Sequence, residues 1–222
     1  MCVLFIGPLI LFAGSLFAAQ ASTSVPAINF SYAAEFDAAC AQQTKYQINP
    51  AWVTELKSRL PELTSNWAKD GPALLSTSEA IVGKPFPEKQ VWVSLSVCSL
   101  PSMADPMLIN MRFSLKSFTA TPLTEDVTIG IILHELLHRY LLGRIPANSP
   151  LLAKYKDEDE TVKSHLHLLA LQEGVYLKLG RADSLRRIIA KDRELPNKSY
   201  ARAWDIIDIG GDYESFLSEL RR

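Results

Sequence analysis

ILHELLHRY, the segment from Ile132 to Tyr140, contains the pattern H-E-x-x-H. On a helix, residues four apart lie on one face, so His134 and His138 can both direct a ring nitrogen at one ion. Such nitrogens bind zinc at a distance of about 2.0–2.1 Å. Glu135 is next to the first histidine and can take a proton from water that the ion activates. The segment therefore predicts a zinc site with Glu135 as the general base.

The residues around the motif predict a buried helix from Asp126 to about Leu142, ended by Gly143. Leucines and isoleucines flank the two histidines on both sides. The alternative interpretation is a polar patch on a surface helix. In a buried helix, however, two histidines and a glutamate are costly without a partner. A metal ion would satisfy all three, which favours the metal site.

A third metal ligand is expected on the next helix, predicted from about Glu158 to Leu179. The chain has four histidines, and all of them lie between residues 134 and 167. In the pair His165 and His167 the rings point about 200° apart on a helix, so only one can face the metal. His165 lies at the edge of the apolar face and His167 near the solvent side, which favours His165. Glu160 is the main alternative, and Glu173 and His167 also remain open; the histidine that is not a ligand would orient one, bind substrate or face solvent.

The motif resembles that of the zincin zinc metallopeptidases, and the resemblance covers about Met107 to Leu179. As in that family, a predicted strand precedes the motif helix and a helix with a further ligand follows it. The resemblance implies an edge strand that binds extended peptide, a cleft below it, and hydrolysis by metal-activated water.

The chain also departs from the known zincin subfamilies. Gly143 follows His138 by five residues rather than three, and no histidine stands at the metzincin position. Asp159-Glu160 with Ser164 matches only part of the Asn-Glu-x-x-x-Asp pattern of thermolysin-like enzymes. The motif therefore assigns no subfamily.

Two segments alternate apolar and polar residues with period two and are predicted strands: Gln90 to Cys98 and Met107 to Leu115. The region from Ser31 to about Ala68 is predicted to be helical, with Pro50 opening a second helix that Pro61 ends or kinks. Gly71 to Pro87 is predicted to be loop with a short helix.

Further helices are predicted over residues 182–192 and 199–222, the latter with a break at Gly210 and Gly211. We expect an α+β fold of the zincin type. A small sheet would pack on the active-site helix, and the C-terminal part would be mainly helical. The mature chain, residues 22–222, is predicted to be a single domain.

The N-terminus predicts export. Met1 to Ala19 is almost wholly apolar and is followed by small residues at Ala19 and Ala21, so residues 1–21 are predicted to be a signal peptide cleaved before Ser22. The alternative is an uncleaved membrane anchor. In either case the protein would be exported, and we expect a secreted or periplasmic location. Two cysteines, Cys40 and Cys98, then remain; they form either a disulfide or two buried free thiols.

Composition limits the classes of molecule that the protein is expected to bind. The net charge is −1 and no basic patch is present, which excludes nucleic acid as an expected partner. We expect a peptide or protein substrate and, after signal cleavage, no membrane contact. The donor to the oxyanion of the reaction is left open among Arg139, Tyr140, Tyr155, Tyr176, Tyr200 and Arg202.

Two other functions compete with a zinc peptidase. One is an exported zinc-binding protein without peptidase activity, although binding alone requires no base at Glu135. The other is a structural protein in which the motif arose by chance. Metal analysis and a cleavage assay separate the three.

Overall fold

The computed structural model describes residues 25–208 and 212–222, in which a small sheet is combined with a larger helical part. The predicted signal peptide and the predicted break at Gly210 and Gly211 lie outside the described residues. The elements are β1 (Ala27–Tyr32), α1 (Ala34–Thr44), α2 (Pro50–Val82), β2 (Gln90–Ser96), β3 (Leu108–Asn110), α3 (Glu125–Leu141), α4 (Pro150–Lys154), α5 (Glu160–Lys178), α6 (Ala182–Glu194), α7 (Ser199–Asp208) and α8 (Tyr213–Leu220). The expected mixture of a small sheet and a mainly helical C-terminal part is confirmed.

The sheet has three parallel strands in the order β1-β2-β3. Val91 and Val93 of β2 are buried and pair with Ile28 and Phe30 of β1, so this face of the sheet contributes to the core. Trp92 points the other way and is 65% exposed. β2 was predicted, but β1 has no counterpart among the predicted strands.

The predicted strand from Met107 to Leu115 is wrong over most of its length. Only Leu108–Asn110 is a strand, and Arg112–Ser114 forms a 3₁₀ turn in which the amide of Ser114 donates to the carbonyl of Met111. The amide and carbonyl of Leu108 both bond to Met103, at 2.9 Å. The chain's own loop thus occupies the strand edge at which the resemblance to zincins implied peptide binding.

Helix α2 corrects two predictions, because it runs unbroken through Pro61 and Pro72 and includes most of the predicted loop from Gly71. Each proline removes one helical hydrogen bond. Both prolines lie on the exposed side of α2, where water can bond the freed carbonyl groups. The opposite side is buried along the helix from Leu56 to Val82, and this packing maintains the helix.

Helix α5 is central to the helical part and packs against α2, α3, α6, α7 and α8. Most buried apolar side chains of the sheet and of the helices belong to one hydrophobic cluster. The predicted helices over the motif and over the third-ligand segment correspond to α3 and α5. Among the described residues, no helix has the length and apolar character that a membrane span requires.

Cys40 of α1 and Cys98, just after β2, form a disulfide with a Cα–Cα distance of 6.4 Å. This confirms the first of the two alternatives for these cysteines. Nearby, the buried carboxylate of Asp37 accepts hydrogen bonds from the Ser96 hydroxyl and the Val97 amide. Two links therefore join α1 to the end of β2.

Candidate metal centre

Helix α3 positions the motif inside the protein. Its first turn carries Glu125 and Asp126, which favour a helix N-terminus, and Asp126 is paired with Arg187 of α6. The leucines of the motif are fully buried, and His134 and Glu135 are more than nine-tenths buried. His138 is half-buried one turn further along the helix.

Helix α5 brings the third histidine to the same place. Asp159 caps its N-terminus by accepting from the Val162 amide at 2.8 Å, and it also accepts from the Ser199 hydroxyl of α7 at 2.8 Å. This start fixes the rotation of the helix, and His165 then faces α3. His165 is 7% exposed.

One ligand atom from each of His134, His138 and His165 lies within 4.8 Å of the other two. The Nε2 atoms of His138 and His165 are 3.2 Å apart. Tetrahedral zinc with bonds of about 2.0–2.1 Å places its ligand nitrogens about 3.3 Å from one another. The Nε2 atom of His134 is buried and has no hydrogen-bond partner among the described residues. A buried polar atom without a partner beside two other ligand nitrogens fits a metal ion.

Hydrogen bonds on the far side of two rings fix which nitrogen faces the cluster. Nδ1 of His165 lies 2.6 Å from the carbonyl oxygen of Thr161, which can only accept, so Nδ1 carries the proton. Nδ1 of His134 lies 3.2 Å from Oε1 of Gln172. In this arrangement the Nε2 atoms of both histidines present lone pairs to the cluster.

Burial disfavours the charged form of all three rings. Burial lowers the pKa of His134, and the neighbouring rings of His165 and His138 lower it further. Burial, followed by the charge of His165, lowers the pKa of His138 to about 4. Burial also lowers the pKa of His165. Neutral imidazole is the form that binds metals, so the set needs no proton loss before binding.

Glu135 and Tyr200 complete the site. Burial raises the pKa of Glu135 to about 7, which suits a group that exchanges protons near neutral pH. The Tyr200 ring of α7 lies 4.5 Å from the His165 ring and 5.8 Å from the His134 ring, measured between centroids. Burial raises the pKa of Tyr200, and the charges of Glu135 and Asp192 raise it further, so its hydroxyl keeps its proton.

The other candidates for the third ligand lie elsewhere. The side chain of Glu160 is 91% exposed and pairs with Lys163. Glu173 lies about two turns after His165 on α5, and none of its atoms belongs to the cluster of histidine nitrogens. His167 was expected near solvent, but it is fully buried, with Nε2 2.8 Å from a carboxylate oxygen of Glu219. That expectation was wrong because α8 covers this side of α5.

Most candidates for the oxyanion donor have other partners. Tyr140 donates to the carbonyl of Lys84, Tyr155 to Asp212, Arg139 to Glu88 and Arg202 to Glu158. Tyr176 is fully buried. Tyr200 is the candidate whose ring contacts the histidine cluster.

Gln172 was not predicted as part of the site. It follows His165 by seven residues, which is two helical turns, so the same helix face presents both. That spacing was the available signal. Comparison with known protein families, with curated proteins and with solved structures finds no match for this chain.

Proposed function

We propose that the chain is an exported zinc-dependent peptidase of zincin type, with His134, His138 and His165 as metal ligands and Glu135 as general base. The observation that carries the proposal is the cluster of three histidine rings next to the buried carboxyl group of Glu135. One of its nitrogens, Nε2 of His134, is buried without a partner among the described residues.

The donor set suits zinc, for which three histidines and an open position are a known catalytic arrangement. When bound, zinc would lower the pKa of a water molecule and polarise a peptide carbonyl. The outer hydrogen bonds to Thr161 and Gln172 orient two of the ligand rings. His134, Glu135 and His165 are each more than nine-tenths buried, and burial strengthens electrostatic interactions between them.

Glu135 accepts the proton of the attacking water and delivers it to the leaving amine. Its pKa of about 7 is close to the value at which a group both takes up and gives back a proton at neutral pH. Tyr200, protonated and adjacent to two of the ligand rings, is the group best placed to donate a hydrogen bond to the oxygen of the reacting carbonyl.

The proposed substrate is a peptide or protein, and the proposed location is secreted or periplasmic. The disulfide between Cys40 and Cys98 supports export, because disulfides persist in oxidising compartments. Since Met103 covers the edge of β3, we do not assign the substrate to that strand.

The test is cleavage by wild type and by Glu135→Gln. Wild type is first screened against unstructured proteins and a peptide library at neutral pH. The amide of the variant keeps the side-chain shape but cannot take the proton. We therefore expect cleavage to fall by about a hundredfold to ten-thousandfold, the usual cost of losing a general base, with zinc content unchanged.

The matched control is Glu160→Gln, the same change at an exposed position on the neighbouring helix, which should leave cleavage unaltered. Equal cleavage by wild type and Glu135→Gln would contradict the mechanism. Zinc binding without cleavage in either form would favour the zinc-binding protein that the sequence left as the alternative.

A further inference from the structure

Both the nitrogen and the oxygen of the Gln172 side-chain amide form hydrogen bonds. The residue is 1% exposed and lies between α5 and α3. Its Nε2 donates to the carbonyl oxygen of Gly130, at 3.4 Å, and its Oε1 lies 3.2 Å from Nδ1 of His134. Because the carbonyl of Gly130 can only accept, it selects the amide orientation in which Oε1 faces the histidine.

That orientation determines the tautomer of His134. An amide oxygen can only accept, so Nδ1 of His134 must carry the ring proton. The lone pair is then on Nε2, which is the buried atom without a partner in the described part of the chain. The relay from Gly130 through Gln172 thus leaves His134 with a lone pair directed at the cluster.

We propose that Gln172 is a positioning residue for the metal site, which fixes the ring orientation and tautomer of His134 by accepting its Nδ1 proton. The inference rests on the proposed metal site and adds a residue that the H-E-x-x-H pattern does not contain. Gln172 touches neither the metal nor the substrate and acts only through His134.

The need for an acceptor atom distinguishes this role of Gln172 from simple packing. A packing role needs only the volume of the side chain, which methionine nearly reproduces. A positioning role needs a strong acceptor atom, which glutamate supplies, whereas the thioether sulfur of methionine is only a weak acceptor. Gln172→Met and Gln172→Glu therefore give opposite results only if the hydrogen bond matters.

Zinc dissociation constants, measured by competition with a chromophoric chelator, provide the first test. Loss of an outer hydrogen-bond partner typically weakens metal binding by about 10- to 100-fold, and we expect this for Gln172→Met. Gln172→Glu should bind zinc with an affinity within about threefold of that of wild type. Gln43→Met, at an exposed position of α1, is the matched control and should not change binding.

The second test needs no metal. Long-range proton–nitrogen NMR correlation of the metal-free protein should show His134 protonated at Nδ1 in wild type, and a shift towards the other tautomer in Gln172→Met. Circular dichroism verifies that each variant is folded before either measurement.

The outcomes separate this inference from the proposed function. If wild type binds no zinc, the proposed function fails, and the NMR result still decides the role of Gln172. If wild type binds zinc but Gln172→Met binds equally well, or Gln172→Glu binds as weakly as Gln172→Met, the role of Gln172 is overturned and the metal site stands.

Discussion

His165 and His167 are separated by one residue on α5, yet they face different environments. On the α3 side, His165 meets His138 nitrogen to nitrogen, at 3.2 Å, next to the partnerless Nε2 of His134. On the α8 side, His167 lies 2.8 Å from Glu219, whose carboxylate also accepts from the Ser149 hydroxyl and the Leu151 amide. Both rings are buried, but only one side concentrates ligand atoms.

This contrast separates a candidate metal site from a structural hydrogen-bond network. Around Glu219, donors and acceptors match, and the hydrogen bonds join α5, α8 and the start of α4. The Nδ1 atom of His167 also lacks a partner, but the described residues place no group of three ligand atoms around it. Between α3 and α5 the Nε2 atom of His134 has no partner among the described residues, and the Nε2 atoms of His138 and His165 lie 3.2 Å apart beside it, an arrangement that a cation satisfies.

The largest expected effect is on zinc binding when His165 is replaced. His165→Ala removes a ligand and should weaken zinc binding by more than the roughly 10- to 100-fold that an outer partner contributes. The control is Glu160→Ala. Glu160 is exposed on the same helix, so its replacement should leave the zinc affinity unchanged. Competition titration with a chromophoric chelator measures both variants. Equal losses, or a larger loss for Glu160→Ala, would show that the third ligand is wrongly assigned.

A smaller effect, and of a different kind, is expected on the other side of α5. His167→Leu keeps most of the buried volume but removes one of the three donors to the Glu219 carboxylate, and a hydrogen bond to a charged group contributes about 1.5–3 kcal/mol. Urea unfolding of the metal-free protein should show this loss in the free energy of unfolding.

The zinc affinity of His167→Leu gives a second comparison of the two sides of α5. It should stay within about threefold of wild type, because His167 does not belong to the histidine cluster. His165→Leu is the matched change and should cost less stability in the metal-free protein, because it removes no hydrogen bond to a buried carboxylate. If His167→Leu loses zinc as strongly as His165→Ala, the two sides of α5 do not have separate roles.

The sequence predicted those features that depend on the spacing of residues within one helix. The helix of the motif follows from its apolar periodicity, and the choice of His165 follows from the 200° between alternate helical positions. These arguments need only the geometry of a single helix. The structure brings His165 beside His134 and His138.

Parts that depend on distant partners were not predicted. β1 pairs with β2 across about sixty residues, and the short alternation of Ile28, Phe30 and Tyr32 does not reveal that partner. The continuity of α2 through Pro61 depends on core contacts along its opposite face, which outweigh the local preference of proline.

The same limit applies to the site. The burial of His167 depends on α8, and a helical wheel of α5 alone cannot contain that information. Gln172 and Tyr200 acquire their roles from contacts with other helices rather than from a motif. Sequence therefore indicated the three histidines of the cluster and the proposed base, but not the residues that contact them from other helices.

The most direct measurement of the central claim is the zinc content of the purified protein. Elemental analysis of wild type, purified under mild conditions without chelator, should give about one zinc per chain, since the described residues contain one group of three convergent ligands. The variant with both His134→Ala and His138→Ala, verified as folded by circular dichroism, should contain none and should take up none when zinc is added. A wild-type protein that carries no zinc and does not bind added zinc would contradict the account.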